Sequence, residues 1–257
     1  MAAWATQRKT TYASLVIIVL LICIALPVFL TTYHKPSCAD GILNGGEEGI
    51  DCGGVCPRLC QSAFLAPLVS WAKTEKVADG LYNVAAYIIN PNVNGAAVNV
   101  PYVFSLFDKE GELIVATKGA TTLPAHRNTL AFVPAVDTGK RIPAKAVFEF
   151  AATPLWQKSH DTIGDLAIID KKYAEDETSS SLDVTLQNRA LYPYANVYVF
   201  AILYDADNNA VGFSRTRVDS LAPGASDTAP FTWPVGRSGR VASIEILPLT
   251  VPVIDAK

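Results

Sequence analysis

The segment ASLVIIVLLICIALPVFLTTY, from Ala13 to Tyr33, carries no charged side chain and consists mainly of Leu, Ile and Val. No other stretch limits so firmly what this chain can become. A helix needs about 20 apolar residues to cross the hydrocarbon core of a bilayer, and this run reaches that length. In lipid every backbone polar group must find its partner inside the protein, which a helix achieves within its own segment. A transmembrane helix is therefore predicted over 13–33. Pro27 near its far end permits a mild kink, and Cys23 in its middle reads as a lipid-facing thiol with no role.

The flanks set an orientation. Arg8 and Lys9 precede the run without an acidic neighbour, whereas His34 and Lys35 are followed by Asp40, Glu47, Glu48 and Asp51. Positive charge is retained on the cytoplasmic side. Residues 1–12 are thus expected to be a cytoplasmic tail, with Trp4 resting at the interface, and everything after Tyr33 to lie outside. The competing reading is a cleaved signal peptide. The run is longer than a usual signal core, no A-x-A site follows it, and no lipobox precedes Cys23 or Cys38. The expectation is an uncleaved single-pass anchor in the cell membrane, with the lipid bilayer as partner through residues 13–33.

That compartment bears on the cysteines. Cys38, Cys52, Cys56 and Cys60 crowd into a spacer over 34–61, and Cys23 completes the five of the chain. Outside the membrane is oxidising, so two disulfides are expected; three pairings are possible and the spacing selects none. Zinc fits less well, because Cys52, Cys56 and Cys60 are separated by three residues rather than two and no histidine joins them. A redox C-x-x-C is absent. Asp40, Asn44, Glu47, Glu48 and Asp51 offer hard oxygens on a glycine-rich loop, which suits calcium. They do not follow the EF-hand spacing. Asp-Gly, Asn-Gly and Gly-Gly are also what tight turns require, and the turn reading is preferred, with no resident cofactor or metal.

The same stretch matches C-x-D-G-x-x-N-x-x-E-x-G-x-D-C-G-G-x-C, through Cys38, Asp40, Gly41, Asn44, Glu47, Gly49, Asp51, Cys52, Gly53, Gly54 and Cys56. It resembles a short cysteine motif of many bacterial surface proteins, where it often sits just outside an N-terminal anchor. The resemblance implies an exported envelope protein and no particular activity.

The rest of the chain reads as β-strands punctuated by Pro, Gly and Asn, without an amphipathic helix of useful length. Half the residues are hydrophobic and the net charge is only -3, which argues for a packed core and against a nucleic-acid partner. An internal repeat organises it. GLYNVAAYIINPNVNGAAVNVPYVFSLFDKEGELIVATKGATTLPAHR is echoed by SSLDVTLQNRALYPYANVYVFAILYDADNNAVGFSRTRVDSLAPGAS. Each copy has a strand ending in Asn (Asn90, Asn188), then a long strand ending in an aromatic-Asp pair (Phe107-Asp108, Tyr204-Asp205), a polar turn and another strand. Upstream, LVSWAKTEKVAD corresponds to LAIIDKKYAEDE; downstream, AVFEF corresponds to SIEIL. Each copy is predicted to hold about seven strands, the size of an Ig-like sandwich. The expected fold class is all-β: two tandem Ig-like β-sandwiches, 62–156 and 165–257, joined by a linker over 157–164, following the single transmembrane helix and the short Cys-rich segment. A linker so short is expected to set the sandwiches nearly end to end.

Alternation assigns the inward faces: Val100, Tyr102, Phe104 and Leu106 in the first copy, Val197, Val199, Ala201 and Leu203 in the second. Asp108 and Asp205 are expected to cap the hairpin turns that follow. FSLFD (Phe104 to Asp108) is similar to the F-x-L-Y-D signature of a widespread bacterial and archaeal β-sandwich domain. AILYD (Ala201 to Asp205) keeps Leu-Tyr-Asp but carries Ala201 where that signature has phenylalanine. The resemblance implies an Ig-like accessory domain, usually on the cell surface, without catalysis of its own.

Chemistry finds little support. His34, His126 and His160 are scattered, none with a serine or cysteine partner at a recognisable spacing, and there is no G-x-S-x-G, H-E-x-x-H or phosphate loop. No catalytic or cofactor-binding residue is assigned. Trp71, Trp156 and Trp233 are read as packing residues, with Trp233 the one placed to stack on a sugar or peptide were it exposed. The expectation is a non-catalytic, membrane-anchored envelope protein whose tandem domains bind an envelope protein or surface ligand, or act as a scaffold. The alternatives are an envelope hydrolase using loops at the sandwich ends and a subunit of a secretion or pilus-type membrane complex.

Overall fold

The computed structural model describes residues 2–32, 35–159, 165–234, 236 and 240–251. Helix α1 spans Ala2–Thr32. It starts well before Ala13, so most of the tail expected over 1–12 is helix continuous with the apolar run. Ala2, Ala3, Ala5, Gln7, Arg8 and Lys9 include several strong helix formers, and no Gly or Pro interrupts them. Its 31 residues make it about 46 Å long. The section Tyr12–Leu30 has a mean hydropathy of 3.1, and none of it is buried within the protein. It is long and apolar enough to cross a membrane. Tyr33 and His34 lie outside the described residues.

Beyond a compact Cys-rich segment and a 3-10 turn at Gln61–Ala63, the chain is built of strands. β1 (Leu68–Ala78), β2 (Leu81–Ile89), β3 (Gly95–Phe107), β4 (Leu113–Leu123), β5 (Asn128–Asp137) and β6 (Lys145–Phe150) form the first copy. β7 (Gln157–Lys158) adds two residues to β3 at Gly95 and Ala96. β8 (Leu166–Glu175), β9 (Ser180–Asn188), β10 (Tyr194–Tyr204), β11 (Ala210–Leu221), β12 (Ser226–Trp233) and β13 (Ser243–Leu249) form the second. The expected linker over 157–164 thus begins as sheet; most of its remainder, with His160, lies outside the described residues.

The two copies share one topology. Sheet β1-β2-β5 faces sheet β4-β3-β6 in the first, and β8-β9-β12 faces β11-β10-β13 in the second. Each copy holds six main strands rather than about seven, because β3 and β10 run uninterrupted for 13 and 11 residues. The register of β3 against β4 shifts between Ala97 and Val100, at Asn99, while that of β10 against β11 shifts between Leu203 and Tyr204. Asn99 and Asn196, at equivalent places in the two strands, both take positive φ, 54° and 53°. Asparagine tolerates that region better than other residues with a side chain.

The inward faces are those the alternation assigns. Val100, Tyr102, Phe104 and Leu106 pack with Val84, Ala86, Ile88 and Trp156 in the first core. Val197, Val199, Ala201 and Leu203 pack with Leu182, Val184, Leu186 and Trp233 in the second. The repeated asparagines are buried clamps. Asn90 Nδ2 donates to Gly95 O and Pro124 O, both at 2.8 Å. Asn188 Nδ2 donates to Tyr192 O at 2.8 Å and Leu221 O at 2.9 Å, while its Oδ1 accepts from Ala190 N. Each side chain ties its own strand end to two loops and satisfies carbonyls that burial would otherwise orphan.

The sandwiches do not sit end to end. A third apolar cluster joins Ala85, Tyr87, Leu130 and Phe132 of the first copy to Phe200, Ile202, Phe213 and Leu249 of the second. The outer face of β1-β2-β5 lies on the outer face of β11-β10-β13, so four sheets stack in succession. β2 sends Val84, Ala86 and Ile88 into its own core and Ala85, Tyr87 and Ile89 into the interface. β10 does the same with Val199, Ala201 and Leu203 against Tyr198, Phe200, Ile202 and Tyr204. Trp71 closes the seam, 5.7 Å from Tyr87 and 5.9 Å from Phe213 between ring centroids. A linker constrains where a second domain can reach, but these paired apolar faces decide how it docks.

Shared burial couples the copies. Calorimetry of the full chain is expected to show one cooperative transition for the strands. Phe213→Asp, which puts an unpaired carboxylate at the seam, is expected to split it in two and to lower the first midpoint by about 10 °C. A single unsplit transition in that variant would contradict the shared core.

Candidate functional site

Two regions concentrate chemically distinctive groups: the Cys-rich segment and the cleft where the sandwiches meet. In the first, disulfides join Cys38 to Cys56 and Cys52 to Cys60. The candidate calcium ligands are turned onto the backbone instead of converging. Asp40 Oδ1 accepts from Ile42 N at 2.9 Å, and its Oδ2 from Ser37 N and Asn44 Nδ2, both at 3.1 Å. Asp51 takes Gly41 N on both oxygens, at 3.0 and 3.1 Å, and Glu47 Oε2 takes Asp51 N at 3.1 Å. These are the turn-forming contacts that short acidic side chains make beside glycine. Glu48 is exposed. Glu47 Oε1 lies 3.2 Å from Cys56 Sγ, but that sulfur belongs to a disulfide and offers no thiolate to a metal. Among the described residues no other trio of His, Cys, Asp or Glu ligand atoms converges.

The segment is fastened to the first sandwich. Leu59 N donates to Trp156 O at 2.9 Å and Lys158 N to Pro57 O at 2.8 Å. Lys158 Nζ donates to Gly54 O. Phe64 stacks on the buried Trp156 ring, with centroids 5.7 Å apart. Asn92 trades bonds with Leu65, Nδ2 to O and Oδ1 from N, each at 2.9 Å. Gly95 lets this happen: a Cβ there would come within 2.5 Å of the Phe64 ring.

The second region is the seam. On one side of it Glu245 joins the copies, its Oε1 accepting from the Tyr87 hydroxyl at 2.8 Å and its Oε2 from the Tyr204 hydroxyl at 2.9 Å. Burial, and then the Glu245 carboxylate, push both phenols well above their ordinary range, so they stay neutral donors. Asn128 Nδ2 donates to the Tyr87 oxygen. Glu75 Oε2 accepts Phe213 N at 2.9 Å, and Lys73 Nζ donates to Ala210 O at 3.2 Å. Apart from Tyr204, known from its aromatic-Asp pair, the sequence does not single out these residues, because their partners are far away in the chain.

On the other side the sheets part to leave a cleft of about 290 Å³. Its walls are mixed: apolar side chains come from Leu130 and Phe132 of one copy and Tyr198, Phe200 and Leu249 of the other, and polar ones from Asn99, Thr121 and Thr122. Arg215 is the one charged residue among those lining it. Its guanidinium lies over the rings of Tyr198 and Phe132, with centroids at 4.9 and 5.3 Å. No acidic or histidine side chain lines the cleft. A hollow at a domain junction with aromatic and aliphatic side chains on its walls and one fixed cation suits a small anionic group on an apolar body.

The remaining residues of interest have structural places. Asp108 Oδ1 accepts Glu112 N at 2.8 Å, and its other oxygen pairs with Arg141. Asp205 Oδ1 accepts Asp207 N at 3.0 Å and Asn209 N at 2.8 Å. Both cap their hairpins as expected. His126 is exposed in a turn at φ 51°, its amide bonded to Asn92 O. Trp233 is buried against Phe231 and is not available for stacking on a ligand.

No protein-family model matches the chain, and no curated protein does. Solved structures that align with it include a transglutaminase from red sea bream, at 9% identity and a TM-score of 0.23, covering 71% of this chain and 31% of that one. Another is a β-glucuronidase of glycoside hydrolase family 2, at 11% identity and a TM-score of 0.25, covering 85% of this chain and 29% of that one. The chain spans about a third of the length of these structures, and likeness at this level carries no argument about activity.

Three turn carboxylates define an acid response. The Arg141 hydrogen bond holds Asp108 below the usual carboxylate range, and the Asn209 backbone amide does so for Asp205. Backbone and hydroxyl bonds from Thr178, then Ser179, bring Asp176 to about 2. A carboxylate depressed in the fold contributes stability above its unfolded value, near about 4, and loses it as pH falls through the folded one. The thermal midpoint should therefore hold between about pH 7 and 5 and fall between about pH 4 and 2. Asp176→Asn should flatten part of that fall; a midpoint unaffected by acid would contradict the assignment.

Proposed function

We propose that this chain is a single-pass protein of the cell envelope, with its N-terminus in the cytoplasm and residues from Lys35 onward outside. There it presents a rigid double sandwich for binding. The observation that carries the reading is the junction itself. An uncharged apolar span, Tyr12–Leu30, no part of which is buried within the protein, is followed closely by two disulfides, which belong to oxidising compartments. Arg8 and Lys9 ahead of the helix support the orientation. The aromatic-Asp hairpins and the repeated topology support reading both copies as Ig-like domains of the F-x-L-Y-D kind, whose role is non-catalytic. The concavity best suited to binding is the cleft beside Arg215, and its ligand class is an anion on an apolar body, such as an acyl or aryl carboxylate or a side chain of an envelope partner.

Two measurements test this. Protease added to intact cells is expected to remove residues after Lys35 and to spare a tag fused at the N-terminus. The reverse pattern would place the bulk of the chain inside and end the reading. In calorimetric titration of the detergent-solubilised protein, octanoate is expected to bind in the millimolar range and octylamine not to bind. Arg215→Met should weaken octanoate by about tenfold or more. Equal binding of acid and amine, or no effect of the substitution, would remove the cleft from the proposal.

A further inference from the structure

The end of the first sandwich that carries the Cys-rich segment is unusually apolar at its surface. Ile42, Leu43, Ile50, Leu65, Val93 and Leu155 are all exposed there, Ile50 at 61% and Leu155 at 64%. The bonds and packing around them place most of these side chains close together in a band. Gly41 N bonds to Asp51, which brings the turn that carries Ile42 and Leu43 to the one that carries Ile50. Ile50 and Leu155 border one hollow of about 200 Å³ together with Leu59 and Trp156. Trp156 stacks on Phe64, the neighbour of Leu65, and Leu65 is bonded to Asn92, the neighbour of Val93. The bonds of Leu59, Lys158 and Asn92 described above make the band part of one rigid end.

The chain itself says what lies nearby. Helix α1 ends at Thr32 and Cys38 is already locked to Cys56. Six residues extended at about 3.3–3.6 Å each reach about 20 Å. If α1 spans the bilayer, the Cys-rich end cannot leave the membrane surface by more than that. The charges on this end are arranged accordingly. Asp40, Asp51 and Glu47 are folded onto backbone amides, which leaves Glu48 as the exposed acid of the segment. Lys35 and Arg58 are exposed, and Arg58 borders the same hollow as Ile50 and Leu155. Apolar side chains flanked by long cations are what an interfacial surface presents to acyl chains and phosphates.

We propose that this apolar band, centred on Ile50 and Leu155 with Arg58 at its side, rests on the outer leaflet of the bilayer as a second membrane contact beside the helix. The proposal builds on the transmembrane reading of α1. The opposite end then points away: β3 runs from Gly95 at the Cys-rich end to Phe107 through 13 residues, about 40 Å. At that distal end Arg141 is bonded to Asp108, and Ile142, 72% exposed, supplies an equally apolar control position.

The full chain is reconstituted in phosphatidylcholine–phosphatidylglycerol nanodiscs with a benzophenone amino acid placed singly at Leu20, Ile50, Leu155 or Ile142. After illumination, lipid adducts are counted by mass spectrometry. Positions 50 and 155 are expected to give about tenfold more lipid adduct than position 142, approaching position 20. Adduct at position 20 with none at 50 and 155 would overturn the seating and leave the anchor intact. No adduct at position 20 would overturn the anchor and the seating with it. Adducts from 50 and 155 to a second copy of the chain or to another protein, in place of lipid, would assign the band to a protein interface and likewise overturn the proposal.

Discussion

The strand β2, at the centre of sheet β1-β2-β5, is covered on both faces, and the rest of the architecture depends on that. Sheets covered on one side alternate apolar and polar residues; sheets covered on both sides cannot, because each face must lose contact with water. β2 meets the condition with Val84, Ala86 and Ile88 on one face and Ala85, Tyr87 and Ile89 on the other. Its partner across the seam, β10, is built in the same way. Neither copy in its present sequence could stand apart without exposing one of these faces, so the two repeats form a single body although each has its own core. The polar ties of Glu245 to Tyr87 and Tyr204, one residue from each copy, fix the register of that contact. A carboxylate held by two neutral phenols and flanked by Asn128 accepts only a narrow set of positions.

The stack stops at two sheets per copy and two copies, and composition explains why. The face of β9 that matches the seam face of β2 carries Ser181, Asp183, Thr185 and Gln187. A third sandwich would have to desolvate those groups against an apolar partner, which is costly without matching bonds. At the other end, the outer face of β4-β3-β6 presents Val103, Ser105 and Phe107 beside Lys118, Lys145 and Glu149. It is less apolar than its counterpart in β10, where Phe200, Ile202 and Tyr204 occupy the matching places. The repeat therefore duplicated its topology while its outer faces diverged, one pair toward docking and the terminal pair toward solvent. That divergence prevents a head-to-tail contact from propagating into a filament.

Much of this was legible in the residues, and the misreading is instructive. Alternation along β3 and β10 identifies both inward faces, because the pleat allows only two sides and the core must take one. The paired asparagines at strand ends and the aspartates at hairpins declare their places through turn chemistry, which acts over a few residues. The docking face was also written in the chain, as uninterrupted apolar runs in NVAAYII and VYVFAILY set against the strict alternation of SLDVTLQ. Reading only one face of those runs leads to domains placed end to end by a short linker. The Glu245 network and the Arg215 cleft are different in kind. Their members come from different copies, as with Tyr87 and Glu245, 158 residues apart, and no local pattern marks a carboxylate that two distant tyrosines will share. The disulfide pairing belongs to this class as well, since three connectivities satisfy the same spacing.

The Cys-rich segment shows how a small region without a hydrophobic core of its own is made rigid. Two disulfides close short loops of the chain, and the acidic side chains cap the glycine turns between them. Cysteine and glycine alone would give a compact but freely swinging knot. What removes the swing is Leu59 and Trp156: the knot lends one leucine to the sandwich core, and the sandwich returns a tryptophan carbonyl to the Leu59 amide. The knot is thereby an extension of the first sandwich, and the first sandwich is fused to the second through β2. Among the described residues the Cys-rich segment and the two sandwiches therefore form one packed body. A flexible stalk would let a binding surface sweep a large volume at an entropic cost on each capture. Here instead the cleft beside Arg215 keeps one position relative to the Cys-rich segment.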